Sequence, residues 1–460
     1  MTHTPILKHD PAAGLSEALV DRLRVAMSPA AMRDILERDC PYLRQSGEEL
    51  IDCQLVRVSP RLPHGFVLYY ELTLQGSGMC RSRPLLAELT EGAPLLHYRR
   101  VLEKLRKRRR GQLRKNGGAS PLTVLSNPGM VLRLAGYDER LHGLKLVHMP
   151  QLLEPILAKH VAAANHSIGA IEPEMLGHRL GTRCIVRFRF ETRNGAADPV
   201  FSASVIAKLY KFRSAKGQRV FADMQRLRAD GFGVGSDLTI PRPIAFLPDA
   251  NLLLMEDVPG KLLADLSRGE QQAGTRAAGR ILGKLHTSTF RPPRRHGAED
   301  EIALLEPWVA LVSRIHPDLE ALATRALLAV RPALPACADT ELTPSHRDFY
   351  DKQVLLADGR ATLIDFDTHC MADPALDIGN FLAHLELARL QGIMPVDGLE
   401  GGFLDGYRRT AGTLPRDARL AAYRAASLLR LACLYAFSTL WQTLAGPLIE
   451  ACLATLPARS

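Results

Sequence analysis

The chain begins with a helical rhythm. Leu15, Leu19, Leu23 and Met27, followed by Met32, Ile35 and Leu36, recur at helical spacing and predict helix over residues 11–38. The period then changes. Residues 51–56, 65–74 and 84–90 are rich in Val, Tyr, Leu and Thr and predict strands, with Gly76-Ser77-Gly78 as a turn. A basic stretch at 97–115 predicts a helix that ends near Gly111, and 122–125 predicts another strand. Residues 131–144 fit neither period, and 150–164 predicts a helix. A second strand group follows. Residues 177–183 predict a turn leading into a strand at 184–192, where Val186, Phe188 and Phe190 alternate with Arg187, Arg189 and Glu191. Asn194-Gly195 predicts a turn and 201–210 the next strand. Helix is predicted over 217–229, strand over 251–255, helix over 274–289 and a helix pair over 303–331. Two short apolar runs, 354–357 and 361–364, flank Asp358-Gly359, which is the strongest short hairpin signal. Residues 415–456 are helical and rich in Leu and Ala. Arg430, Gln442, Gly446-Pro447 and Glu450 interrupt them, which fits buried helices better than a membrane span.

Composition adds bounds. The 460 residues suffice for two or three domains, and 46% apolar with 23% charged residues is ordinary for globular proteins. Eight cysteines without a CxxC pair or a Cys/His cluster argue against a thiolate metal site and a disulfide framework. The first residues lack a basic start followed by an apolar run, so a cytoplasmic location is expected. The net charge of +10 implies an anionic partner: a nucleotide, a nucleic acid or an anionic membrane surface. Much of that charge sits in HYRRVLEKLRKRRRGQLRK, residues 97–115. A solvated helical face, a polyanion-binding surface and a membrane-surface helix all fit this stretch. Few apolar residues interleave the charges, which disfavours the membrane, and no aromatic platform accompanies them, which disfavours sequence-specific RNA.

The candidate chemistry lies in residues 345–385, which hold seven aspartates among apolar runs. A tight hairpin at Asp358-Gly359 brings its two ends together, Asp348 and Gln353 on one side and Asp365 with Asp367 on the other. Carboxylates and an amide oxygen are hard ligands suited to Mg²⁺. A lysine directly after a buried apolar run, Lys208 after Val205-Ile206-Ala207, is costly unless paired, and phosphates would pair it. Lone aspartates ordinarily serve as turn or helix-cap residues, and Asp373 and Asp377 read that way, bracing a loop and capping the next helix.

The same residues resemble a known pattern. His346-Arg347-Asp348, four residues and then Gln353 resembles the kinase catalytic loop, with Gln in place of the usual Asn. Asp365 stands where the metal-binding Asp of the next kinase motif falls, and DPALDI at 373–378 is similar to the GDPxxDLA signature of the aminoglycoside phosphotransferase and choline kinase-like families. The chain is thereby identified as resembling that phosphotransferase superfamily. The resemblance implies an α+β, two-lobed protein-kinase-like fold, with a small β-rich N-lobe at 166–258 and a large helical C-lobe with the catalytic loop at 259–460. An accessory α+β domain, 1–165, would precede them. It implies ATP and Mg²⁺ as cofactors and phosphoryl transfer to a hydroxyl of a small molecule such as a sugar. Asp348 would be the base and Arg347 its brace. Gln353, Asp365 and Asp367 would hold metal, and Lys208 the α and β phosphates. The glycine-rich loop is reduced to Gly177 and Gly181, and Glu256 and Val258 fall in the hinge that binds adenine. The kinase lysine is normally held by a Glu on the next helix, but GQRVFADMQRLRA has only Asp223. A nucleotide-binding pseudokinase and a polyanion-binding protein are the other readings. Finally, residues 65–92 are similar to 186–195 joined with 204–212, with Glu88 at the place of Lys208. The first half would then carry a degenerate small-lobe sheet.

Overall fold

In the computed structural model, residues 15–61, 64–76, 78–91, 94–108, 122–134, 137–161, 167–193, 201–334 and 341–457 are described. By proximity the chain divides into two compact units. One gathers Met1–Glu139, Ala298–Ala336 and Ala425–Ser460, the other Arg140–Gly297 and Cys337–Arg424. The sequence-based division at 165 and 258 follows chain order, whereas these units interleave.

In the first unit, the helical rhythm at the start is two helices, Glu17–Met27 and Pro29–Asp39. Ser28 separates them. Its hydroxyl accepts from Ala31 N, and Pro29 takes the first helical position, where its missing N–H costs nothing. Five strands follow: β1 (Glu49–Pro60), β2 (Gly65–Gly76), β3 (Met79–Thr90), β4 (Leu122–Leu125) and β5 (Met130–Leu134). They form an antiparallel sheet in the order β1-β2-β3-β5-β4. The helix Pro94–Arg108 lies between β3 and β4 in sequence and packs Val101 against Leu122 and Val131. The rest of the basic stretch, from Arg109 on, lies outside the described residues, so the polyanion reading does too. The helices Ala298–Ile315, Glu320–Ala333 and Ala445–Thr455 complete this unit, with Trp308 and His316 packing their rings on Phe437. Among the described residues no helix is long and apolar enough to cross a membrane.

The second unit is built on β6 (Ser167–Arg179), β7 (Arg183–Arg193), β8 (Phe201–Tyr210), β9 (Leu238–Thr239), β10 (Pro243–Leu247) and β11 (Leu252–Glu256). All but β9 form one antiparallel sheet in the order β6-β7-β8-β11-β10. The alternation read from β7 is real: Val186, Phe188 and Phe190 are buried, and the arginines between them are not. The helix Lys216–Leu227 follows β8.

Beyond β11, the helix Arg268–Thr287 starts with a capping box between Ser267 and Glu270. It packs on Leu399–Ala411 with no room for a side chain at the crossing. A Cβ on Gly279 would fall 2.0 Å from the Phe403 carbonyl oxygen, and one on Gly406 2.1 Å from that of Arg276. The remaining strands are β12 (Arg295–His296), β13 (Thr343–Ser345), β14 (Val354–Ala357), β15 (Arg360–Leu363) and β16 (Cys370–Ala372). β14 and β15 are the expected hairpin, and β9 joins it on β15. Phe349, Phe366, Phe381 and Phe403 fill the core beneath it.

Candidate active site

The hairpin between β14 and β15 turns at Asp358, φ 49°, and Gly359, φ 75°. Two successive left-handed residues are what a two-residue type I′ turn needs, and Asp-Gly accepts them at low cost. The register carries on past the strands, since Ile364 N donates to Gln353 O at 2.9 Å. Gln353 and Asp365 are thus held at the same end of the hairpin.

The loop that carries Asp348 is fixed from below. The buried carboxylate of Asp377 accepts from His346 N at 2.7 Å and Arg347 N at 2.6 Å, and faces His286 Nε2 at 3.2 Å. His286 in turn meets the Tyr407 hydroxyl through Nδ1. Asn380 donates to Phe349 O, and His346 Nε2 pairs with Ile364 O at 2.8 Å, tying the loop to the hairpin. Asp373 caps the helix Pro374–Gln391 by accepting from Ala375 N. Arg347 and Asp365 both have positive φ, 67° and 64°. Non-glycine residues hold such angles only where the surroundings enforce them, commonly at functional sites. Asp348 itself is half-buried and forms no hydrogen bond or ion pair with a described residue.

Beside this loop the charges converge. Lys208 Nζ lies 2.6 Å from Asp365 Oδ1 and 2.7 Å from Asp367 Oδ1. Arg183 reaches both carboxylates, at 3.0 Å and 2.8 Å, and Lys216 Nζ is 3.3 Å from Asp367. The Tyr210 hydroxyl donates to Asp367 Oδ1 at 2.8 Å. Burial alone would raise both carboxyl pKa values, but Lys208 and Arg183, with Lys216 on Asp367, hold them below the usual range. Burial lowers the Lys216 ammonium despite Asp367, and raises the Tyr210 phenol, with Asp367 adding to the rise.

The partner of Lys208 is therefore the Asp365–Asp367 pair. Asp223, the one acidic residue of the following helix, is turned to His369 Nε2 at 2.8 Å. Arg183, Lys216, Tyr210 and His369 escaped the sequence reading. A signal for Arg183 was present, because it directly follows the Gly181-Thr182 turn. Of the glycines, Gly181 sits in that turn with φ 66°, whereas Gly177 lies within β6, paired with Ile185 after a bulge. Ile185 pairs with Lys208 on the next strand, so Gly177, Ile185 and Lys208 share one row. Glu256 ends β11, its N–H donating to Arg242 O, and its carboxylate accepts from Arg242 N. Asp257 is locked by Arg187 and by Ser204, and Val258 follows in the link to Lys261, which pairs with Leu356 beside the hairpin.

Among the described residues no group of three His, Cys, Asp or Glu side chains is arranged as a metal centre. The oxygen donors present are two ionised carboxylates and the Gln353 amide, a set that suits a hard divalent cation completed by phosphate and water. The cations now on Asp365 and Asp367 stand where a metal's charge would be balanced, so this donor set fits Mg²⁺.

Residues 187–413 match the family model described as phosphotransferase enzyme family. Among solved structures, a Ralstonia eutropha protein assigned to the aminoglycoside phosphotransferases superposes with a TM-score of 0.50 at 14% identity, over 66% of this chain and 97% of that one. A choline/ethanolamine kinase family protein from Mesorhizobium loti gives 0.45 at 17%, over 68% and 95%. Choline kinase from Cryptosporidium parvum gives 0.46 at 14%, over 66% and 95%. The first of these establishes the protein-kinase-like fold. No curated protein matches the chain.

Proposed function

We propose, from the premise that residues 187–413 belong to the phosphotransferase enzyme family, that this chain is an ATP-dependent kinase acting on a hydroxyl of a small molecule. The observation that carries this reading is the convergence of Lys208, Arg183 and Lys216 on Asp365 and Asp367, in the same unit as the loop of the unengaged Asp348. In this reading the small lobe covers 166–258, the large lobe runs on from 259, and 1–165 is the accessory domain.

Asp348 orients the acceptor hydroxyl and takes its proton as the oxygen attacks the γ-phosphorus. The bond from that phosphorus to the β-bridging oxygen breaks, and ADP leaves. Arg347 braces the loop through its backbone bond to Asp377. Gln353, Asp365 and Asp367 are the residues that would hold Mg²⁺, which neutralises developing charge on the phosphates. Lys208, Arg183 and Lys216 are freed from the carboxylates to grip phosphate oxygens, with Gly177 and Gly181 allowing backbone approach nearby. Arg183 thus compensates for the reduced glycine loop. Backbone groups between Glu256 and Val258 receive the adenine.

For the acceptor, residues 389–430 hold Asp397, Glu400, Asp405 and Asp417 but more arginines than carboxylates, and two of the four acidic residues face an arginine. Glu400 pairs with Arg424 at 3.0 Å and Asp405 faces Arg408 at 3.5 Å. A polycationic aminoglycoside would need free carboxylates here, so a neutral or anionic hydroxyl compound, such as a sugar, is the better acceptor. A second reading, a nucleotide-binding regulator without turnover, is favoured by one feature: Asp223 leaves Lys208 for His369. A panel of hydroxylated metabolites assayed for ATP-dependent phosphorylation separates the two. Transfer to one class of acceptor supports the kinase. Mg²⁺-dependent ATP binding with no turnover on any acceptor or on water supports the regulator.

A further inference from the structure

The sheet β1–β5 repeats the sheet of the second unit strand for strand. Each has a three-stranded antiparallel meander, then a helix, then a hairpin whose second strand returns to pair with the third strand of the meander. The orders are β1-β2-β3-β5-β4 and β6-β7-β8-β11-β10. The registers match as well. Glu88 on β3 stands opposite Val67 and Val131, and Lys208 on β8 stands opposite Ile185 and Leu253. Around them, Leu85-Leu86-Ala87-Glu88-Leu89 lines up with Val205-Ile206-Ala207-Lys208-Leu209. In both strands the position that breaks an otherwise apolar run is the charged one.

The charge, however, is inverted, and so are its surroundings. Arg133 on β5 pairs in register with Leu86, the place that Met255 takes opposite Ile206. The Arg133 side chain is fully buried. Its guanidinium donates to Glu88 Oε1 at 2.9 Å and to Glu139 Oε2 at 2.6 Å. His97, on the helix after β3, meets the other oxygen of Glu88. Burial would raise the Glu88 pKa, but His97 and Arg133 bring it down to about 2. Where the second unit offers a cation to phosphate, the first offers an anion already closed by a guanidinium and an imidazole.

We propose that residues 49–134 are a second, charge-inverted small lobe whose nucleotide position is sealed by Glu88, Arg133, Glu139 and His97. It serves as scaffold, and each chain binds a single nucleotide, in the lobe of Lys208. The stoichiometry rests on the kinase reading above, but the seal does not.

Calorimetry with Mg²⁺ and a non-hydrolysable ATP analogue on the full chain tests it, with melting curves of the same variants. One site in the unaltered protein and none in Lys208→Met is expected. A site persisting in Lys208→Met overturns the proposal. If the unaltered protein binds no nucleotide, the kinase reading fails, and the seal is decided by melting. Glu88→Gln removes one of the two carboxylates on a buried guanidinium and should lower the melting temperature by about 5–10 °C. Glu88→Met with Arg133→Met should lose less than the two single changes added together. An unchanged melting temperature in Glu88→Gln, or full additivity, overturns the seal.

Discussion

Lys208 shows what a single position discloses. Its place after an apolar run says that it needs a partner, and the chemistry says that phosphate would serve. Which residue holds it meanwhile is not legible, because Asp365 lies 157 positions away and the nearer candidate, Asp223, is claimed by His369. The roles of Arg183 and Lys216 were not legible for the same reason: Arg183 was marked only by its place after the Gly181-Thr182 turn, and the two carboxylates that it meets lie far along the chain. Each should contribute to gripping phosphate, so Arg183→Gln and Lys216→Gln should each weaken Mg·ATP binding about tenfold or more. Titration calorimetry reads both. Glu88 yields a prediction in pH. Its folded-state pKa of about 2 lies below the ordinary 4.5, so the unfolded chain binds more protons between those values. Its contribution of about 3 kcal/mol is therefore complete above about pH 4.5 and is lost as pH falls towards 2. Urea midpoints of the protein and of Glu88→Gln should differ at pH 7 and converge by pH 2–3.

At the scale of elements, turn chemistry was the most readable part. Asp358-Gly359 announced a hairpin that the backbone angles bear out, and with it the approach of Gln353 to Asp365. Gly359→Ala should cost about 1–2 kcal/mol by forcing a Cβ into the left-handed region. Because the register would loosen, phosphoryl transfer should fall as well, which parallel urea melts and rate measurements would show. The alternation in β7 was equally clear, since a sheet with one buried face leaves a period of two in the sequence. Residues 131–144 were not readable. β5 there carries the buried Arg133 within an otherwise apolar run, so its polarity does not mark it as a strand. The helical rhythm of the first forty residues concealed a break, because Ser28-Pro29 restarts a helix without disturbing the apolar spacing.

At the scale of the whole molecule, the order of the segments was legible and their grouping was not. A stripe of Leu and Ala says that a helix buries one face, but not which neighbour covers it, so the return of 298–336 and 425–460 to the first unit had no signature. What the fold does deliver is one loop and one hairpin end that bring Asp348, Gln353 and Asp365 into a single unit with Lys208. The most direct test of the account compares two neutral replacements there. Asp348→Asn keeps the shape but cannot take the proton, so kcat should fall by about 10²–10⁴ with Mg·ATP affinity nearly unchanged. Asp365→Asn removes charge from the metal position, so affinity and kcat should fall together. With a phosphorylated acceptor from the metabolite panel, or the slow hydrolysis of ATP by water, the two can be measured side by side. Full turnover in Asp348→Asn would contradict the account.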